Sequence, residues 1–399
     1  MSYNIIDDGH ISSPAGFRAT GVSAGLKEVR ARDLALIYSQ NPCRTAVIFT
    51  TNAIPAAPIY FNQAILARNR EGIRAILVNS GHANAGTGQP GLANAVECAK
   101  QAADELEVPR DSVLLMSVGQ VGTHLPMDRL RDGIRRAASE LDSGAGRRAA
   151  MAILTTDARP KDRALRVTLR EGRTVHLAGM AKGSRLAHPR QASILAILTT
   201  DALIEQRLLA RSLEQSIARS LGRLSLDSDI SPNDGVLLLA NGAAGGPPIV
   251  DINSWEYGAW QEALDAICSD LAQQIVRDTA VNAKLIQIQV RGGASDEQAR
   301  QVAIAVARSS AVRWACTRSN PNWGSIMVAV GGSGAEIRAD ALEIRVGSII
   351  TMIDSTATRY DSAAVVQALS GPEVDLVIDL HMGSSTAMVW TCTPMGEMP

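Results

Sequence analysis

One hydroxyl residue stands out for its setting. Residues 179–202 read GMAKGSRLAHPRQASILAILTTDA. The first half begins with small residues and Lys182, then passes through Gly183, Pro189 and Ala192, which suit an irregular loop. From Ser193 the chain turns apolar and β-branched, ILAILTT, the pattern of a buried strand. A serine where a loop enters a core strand is well placed for a nucleophile, because the strand fixes it while the loop gives access. The plainer reading, that Ser193 merely begins a strand, stands beside it. Lys182 likewise has two readings, an exposed loop lysine or a cation that holds a substrate carboxylate.

The elements that must position these residues follow from the rest of the chain. Its 399 residues are enough for one or two domains. Apolar residues make up 46% and aromatic residues only 3%, so the core must be aliphatic. With 39 basic and 40 acidic side chains the net charge is −1, which leaves no footprint for nucleic acid or an anionic membrane. No apolar run approaches a membrane span, and the opening MSYNIIDDGHISSPAG has no signal-peptide pattern. The five cysteines are far apart and lack metal spacing, as in a reducing cytosol. The six histidines show no paired spacing, so no metal site is expected.

Along the chain, residues 12–60 alternate short apolar runs with Gly and Pro, as in a β-rich unit. Residues 75–78 predict a buried strand and 92–106 an amphipathic helix. Between them, GTGQPG at 86–91 matches a dinucleotide-binding fingerprint in letters only. Its first glycine lies past the strand end, Pro90 sits inside it, and the acidic residue is missing. Residues 112–130 repeat the plan of strand, glycine turn and helix. The heptapeptide AILTTDA occurs at 152–158 and again at 196–202, which suggests two similar strands, paired or related by pseudosymmetry. Residues 164–180 alternate around Glu171-Gly172, a hairpin signal. Helices are expected at 205–220, 258–276 and 296–309, and a strand at 284–290. This alternation predicts helices packed on mixed sheets.

These motifs, in this order, resemble the bifunctional ornithine acetyltransferase/glutamate N-acetyltransferase family of arginine biosynthesis. That family carries Lys-Gly-Ser-Gly-Met, Ala-Thr-Met-Leu and Thr-Thr-Asp-Ala. Here they correspond to Lys182-Gly183-Ser184, Ala192-Ser193-Ile194-Leu195 and Thr199-Thr200-Asp201-Ala202. The segments Pro14 to Gly21, Asp33 to Leu36, Phe49 to Asn52 and Asn320-Pro321-Asn322-Trp323-Gly324 extend the resemblance along nearly the whole chain. It implies an α/β, two-lobed fold of the N-terminal-nucleophile type, with mixed sheets sandwiched by helices. It also implies self-cleavage at Ala192–Ser193, giving an α chain (1–192) and a β chain (193–399) that assemble as α2β2 in the cytoplasm.

The resemblance further implies acetyl transfer through Ser193, from N-acetylornithine or acetyl-CoA to glutamate, with no permanently bound cofactor. The freed α-amine of Ser193, of reference pKa about 8, would take the hydroxyl proton. The oxyanion pair of the family falls on Val118 and Gly119. Gly119 keeps a backbone N–H, but Val118 has no hydroxyl. The family's substrate-contacting threonine falls on Thr155, with Thr156 as its rival, and Lys182 is the carboxylate-holding candidate. Two further departures touch chemistry. The family's substrate-binding glutamate falls on Ala280, which cannot pair with an ammonium group. The closing Asn and hydroxyl residue have no counterpart in WTCTPMGEMP. Two alternatives therefore stay open: an acyltransferase or amidohydrolase acting on another amine, and a non-catalytic paralogue.

Overall fold

The computed structural model describes residues 2–27, 31–183, 194–225, 230–279 and 284–394. Ala192, Ser193 and Ala280, and the last five residues of the chain, lie outside these. Two compact units divide the chain chiefly at Ile275/Val276. The expected chain boundary at Ala192/Ser193 concerns covalent pieces rather than compact units, and the described residues that flank it, Gly183 and Ile194, both belong to the first unit.

The first unit contains β1 (Tyr3–Ile5), β2 (Phe17–Val22), β3 (Leu34–Phe49), α1 (Ala57–Leu66), β4 (Ile73–His82), α2 (Gly88–Glu105), β5 (Val113–Gln120), α3 (Met127–Ser139), α4 (Gly146–Ala152), β6 (Lys161–Thr168), β7 (Thr174–Lys182), β8 (Leu195–Thr200), α5 (Gln206–Ala218) and β9 (Gly235–Ala240). Most of α6 (Trp255–Thr279) belongs to it as well. The sheet runs β1-β6-β7-β8-β9-β3-β4-β5, with β2 also paired to β3. The strand after Ser193 is thus central, as its apolar run predicts. β8 pairs antiparallel with β7 and parallel with β9.

Every residue of β8 and of β9 is buried, which is what continuous runs such as LAILTT and GVLLLA require of strands covered on both faces. Strand alternation divides the burial. Leu195 and Ile197 join Met180, Leu237 and Leu239 in a core with Phe17, Ile37, Leu77, Leu115 and Ile134. Leu198 points to the other face, where Leu271 of α6 comes so close to Gly179 of β7 that a Cβ there would lie 2.8 Å from its Cδ1. Arg163 of β6 clamps the same helix through Asp270, at 2.8 and 3.2 Å. All five cysteines are buried and free.

The second unit contains β10 (Leu285–Gly293), α7 (Asp296–Arg308), α8 (Ser310–Thr317), α9 (Gly324–Gly331), β11 (Glu343–Val346), β12 (Ile349–Ile353), β13 (Thr356–Ala357), α10 (Ser362–Ser370), β14 (Glu373–Asp379) and β15 (Ser385–Cys392). Its sheet order is β13-β12-β11-β14-β10-β15, with only β10 and β14 parallel. An aliphatic core of Ile286, Ile288, Val302, Val306, Ile344 and Ile378 lies between this sheet and its helices. Lys284 donates to the carbonyls of Cys316 and Leu369, at 2.9 and 2.6 Å, near the ends of α8 and α10. A cation there complements the negative ends of both helices. No described helix is long and apolar enough to cross a membrane.

Most expected elements are present, including the β6–β7 hairpin around Glu171-Gly172. Three expectations need correction. The helix expected at 92–106 starts earlier, at Gly88, with Pro90 in its first turn, where a missing N–H costs nothing. The first AILTTDA copy is not a strand. Ala152 ends α4 and the next residues form a turn, whereas 196–200 lie in β8. The reason is context. Asp157 of the first copy is drawn to lysines, while Thr199 and Thr200 of the second are held inside the sheet. Finally, Lys182 is the last residue of β7, not part of a loop, and it is fully buried.

Candidate active site

The head of β8 is where the candidate residues converge. Lys182 ends β7 opposite Leu195, the first residue of β8. Its Nζ is buried with no hydrogen-bond partner among the described residues and lies 3.9 Å from Asp157 Oδ2. Burial pushes the ammonium down to about 8. Asp157 opposes that shift, and the nearby positive charge of Lys161 adds to it.

Asp157 anchors the cluster. Its side chain is 1% exposed. Oδ1 accepts from Lys161 Nζ at 2.6 Å and from the Gly183 amide at 3.0 Å, and Oδ2 accepts from the Thr155 amide at 3.2 Å. Burial alone would raise this carboxyl, but Lys182 and Lys161 outweigh it and hold it below the ordinary range. A third cation, Lys27, donates to the carbonyls of Arg32 and Leu154, at 2.9 and 2.7 Å. Burial lowers its pKa, against the pull of Asp33 and Asp157. Three ammonium groups thus lie in the field of Asp157. Beside them the Thr155 hydroxyl is buried with no partner among the described residues. A buried ammonium and hydroxyl without hydrogen-bond partners are costly unless something polar meets them.

The other flank is held by a second carboxylate. Asp234 precedes β9, and its Oδ1 accepts from the Ile194 amide at 2.7 Å. Burial raises it to about 6, against the Ile194 amide and Lys182. The segment 184–193 is therefore bracketed: Asp157 binds the amide of Gly183 and Asp234 binds that of Ile194. Asn233 continues the network. Its buried Nδ2 donates to the carbonyls of Ala83 and Ser117, at 2.7 and 2.9 Å. Ser117 immediately precedes Val118 and Gly119 in β5, so the expected oxyanion strand is tied to the head of β8 through Asn233 and Asp234.

Val118 is buried and pairs with Ser80, and Gly119 pairs with Gly81. Gly119 has φ +139°, and a Cβ there would lie 2.1 Å from the Gly81 carbonyl carbon, so only glycine fits. Of the residues singled out from the sequence, Lys182 and Thr155 meet around Asp157, and Val118 and Gly119 are linked to Ile194 by the Asn233–Asp234 bridge. Ser193 and Ala192 fall outside the described residues. Sequence reasoning missed Asp157, Lys161, Lys27, Asn233 and Asp234. One signal was available: Asp234 precedes the apolar run GVLLLA much as Ser193 precedes ILAILTT. Among the described residues no cluster of His, Cys, Asp and Glu is arranged to hold a metal ion.

A central buried strand that begins beside a buried lysine, a buried carboxylate and a half-buried one is the plan of an α/β enzyme with its chemistry at a strand head. Comparison with known proteins supplies the family. Residues 18–394 match the ArgJ family, and the chain belongs to it. It is 39% identical to the arginine biosynthesis bifunctional protein ArgJ of Gloeobacter violaceus over 389 residues, 96% of this chain and 95% of the relative. The ArgJ protein of Dehalococcoides mccartyi is 37% identical over 399 residues, 99% of this chain and 97% of the relative. Among solved structures, ornithine acetyltransferase of Mycobacterium tuberculosis, complexed with ornithine, is 36% identical. That match covers 46% of this chain and 95% of that one, with a TM-score of 0.42.

Proposed function

We propose that this protein is a glutamate N-acetyltransferase with ornithine acetyltransferase activity in arginine biosynthesis, working through Ser193. The observation that carries the reading is the match to ArgJ relatives over nearly all of both chains. Lys182, buried and with no hydrogen-bond partner among the described residues, supports it as a cation suited to the carboxylate of an amino-acid substrate.

In the proposed sequence Ser193 Oγ adds to the Ala192 carbonyl and the amide nitrogen leaves as an amine, taking up the hydroxyl proton. Water then opens the ester, freeing the Ala192 carboxylate and a Ser193 with both hydroxyl and α-amine. In transfer, the amine takes the Ser193 proton as Oγ attacks the acetyl group of N-acetylornithine or acetyl-CoA. Ornithine or coenzyme A leaves protonated, and the glutamate amine then accepts the acetyl group. Gly119 supplies an oxyanion donor; Val118 supplies no hydroxyl. The pieces 1–192 and 193–399 form α2β2 in the cytoplasm, with no resident cofactor.

A second reading, an acyltransferase or amidohydrolase for another amine, is favoured by Ala280 in place of the substrate-binding glutamate. A third, a non-catalytic paralogue, is favoured by Val118. Intact-mass analysis of the purified protein, followed by a ping-pong assay with ornithine, glutamate and their acetylated forms, separates the three. Two pieces cut at Ala192/Ser193 and acetyl exchange between ornithine and glutamate are expected. Cleavage without that exchange favours the second reading, and a chain that stays whole after long incubation favours the third.

A further inference from the structure

The Ile194 amide is the first backbone donor after the proposed nucleophile, and its acceptor is a side chain. β8 and β9 run parallel, with Leu195 opposite Gly235, and the Gly235 amide donates to the Ile194 carbonyl at 3.1 Å. One residue earlier, the Asp234 carboxylate takes the Ile194 amide at 2.7 Å. The Asp234 backbone is fixed in turn, since its carbonyl accepts from the Thr50 amide at 2.9 Å. Asn233 holds the same turn against Ala83 and Ser117.

We propose that Asp234 is a positioning residue for the nucleophile: it holds the 193–194 peptide through the Ile194 amide, and it sets the charge beside the amino group that cleavage frees at residue 193. The proposal rests on the functional reading above. Covalent geometry supports its second half. Successive backbone nitrogens are no more than about 3.7 Å apart, so an oxygen 2.7 Å from the Ile194 nitrogen lies within about 6.5 Å of that amine whatever the local conformation. A negative charge at such a distance favours the protonated amine. Among the described residues, the charged side chain that bears on Asp234 is Lys182, at the end of β7. Behind Lys182 stand Asp157, Lys161 and Lys27. Asparagine could accept the same hydrogen bond, so the charge is what distinguishes aspartate at this position.

The test compares wild type with Asp234→Asn and Asp234→Ala, following self-cleavage by mass spectrometry and acetyl transfer across pH. Asp234→Asn should be at least as stable as wild type at neutral pH, since it lacks the buried charge, and still cleave, while the acid limb of kcat/KM moves about one pH unit lower. Asp234→Ala, which loses the hydrogen bond too, should cleave at least about tenfold more slowly. An acid limb in Asp234→Asn that coincides with that of active wild type overturns the proposal and leaves the functional reading intact. A wild type that neither cleaves nor transfers overturns both. Should Asp234→Asn fail to fold, the pH dependence of cyanate carbamoylation at the wild-type Ser193 amine reads the same quantity. Set against the amine of Asp234→Ala, a higher wild-type pKa upholds the proposal, and an equal or lower one overturns it.

Discussion

Lys182 and Asp157 lie 3.9 Å apart, both buried, yet the carboxylate is shared with Lys161 at 2.6 Å while the Lys182 ammonium has no hydrogen-bond partner among the described residues. Asp157 is thus a fixed counter-charge, and Lys182 is a cation with capacity left over. The arrangement makes the two side chains separable by mutation.

Asp157→Asn should be strongly destabilising. It leaves Lys161 and Lys182 buried without their counter-charge, and breaking a buried pair from one side costs about 3–5 kcal/mol. Denaturant unfolding of the purified variant measures it. A loss under about 1 kcal/mol would mean that the lysines find water instead.

Lys182→Met keeps the stem and removes the charge. It should raise the KM for an amino-acid substrate at least about tenfold, as expected when a charge-assisted contact is lost, with the chain still folded. Steady-state kinetics checks this.

The same variant has a stability signature. The folded-state pKa of Lys182, about 8, lies below its ordinary 10.5. Between these values the unfolded chain binds more protons than the folded one, so the contribution of Lys182 to stability rises with pH. Below about pH 8 the full penalty of burying the charge is present. The advantage of Lys182→Met over wild type should therefore shrink by roughly 3 kcal/mol between about pH 7 and 10.5. Paired denaturant titrations at the two ends of that window reveal the slope.

Val118→Thr should speed self-cleavage at Ser193 about a hundredfold, the scale of one oxyanion donor. The buried hydroxyl should cost about 1–3 kcal/mol of stability where it finds no partner. Time-resolved intact-mass spectra follow the rate, and Ser193→Ala is the uncleaved control. No acceleration would mean that residue 118 does not face the reacting carbonyl.

Gly119→Ala should abolish cleavage and destabilise the chain by several kcal/mol. Its Cβ would lie 2.1 Å from backbone carbon, at φ +139°, where no flexible side chain can yield. Thermal unfolding with intact-mass analysis tests it. A normal melting temperature would show that the β4–β5 pairing at Gly81 and Gly119 can reshape.

Much of the fold could be read from local pattern. The LAILTT and GVLLLA runs mark central strands because both faces are covered, and Glu171-Gly172 marks the hairpin because both residues have positive φ. The candidate site was only half legible. Ser193, Lys182 and Gly119 are carried by motifs, but Asp157 and Asp234 act through partners 26 and 40 residues away, the amides of Gly183 and Ile194. No local window holds both ends of such a bond. The twin AILTTDA segments make the same point, since identical residues become a turn after α4 and a strand between β7 and β9.

The strand order carries a consequence for molecularity. β7 and β3 precede residue 193, and β8 and β9 follow it, yet the sheet runs β7-β8-β9-β3. A cut at Ala192/Ser193 would therefore turn one continuous sheet into a joint between two polypeptides, with a ladder of backbone bonds on each side of the β8–β9 pair. The pieces could part only by tearing the middle of the core. Before the cut, folding is a first-order search by one chain. After it, recovery from denaturant requires two chains to meet. The refolding yield of cleaved protein would then fall on dilution, while that of the Ser193→Ala chain would not.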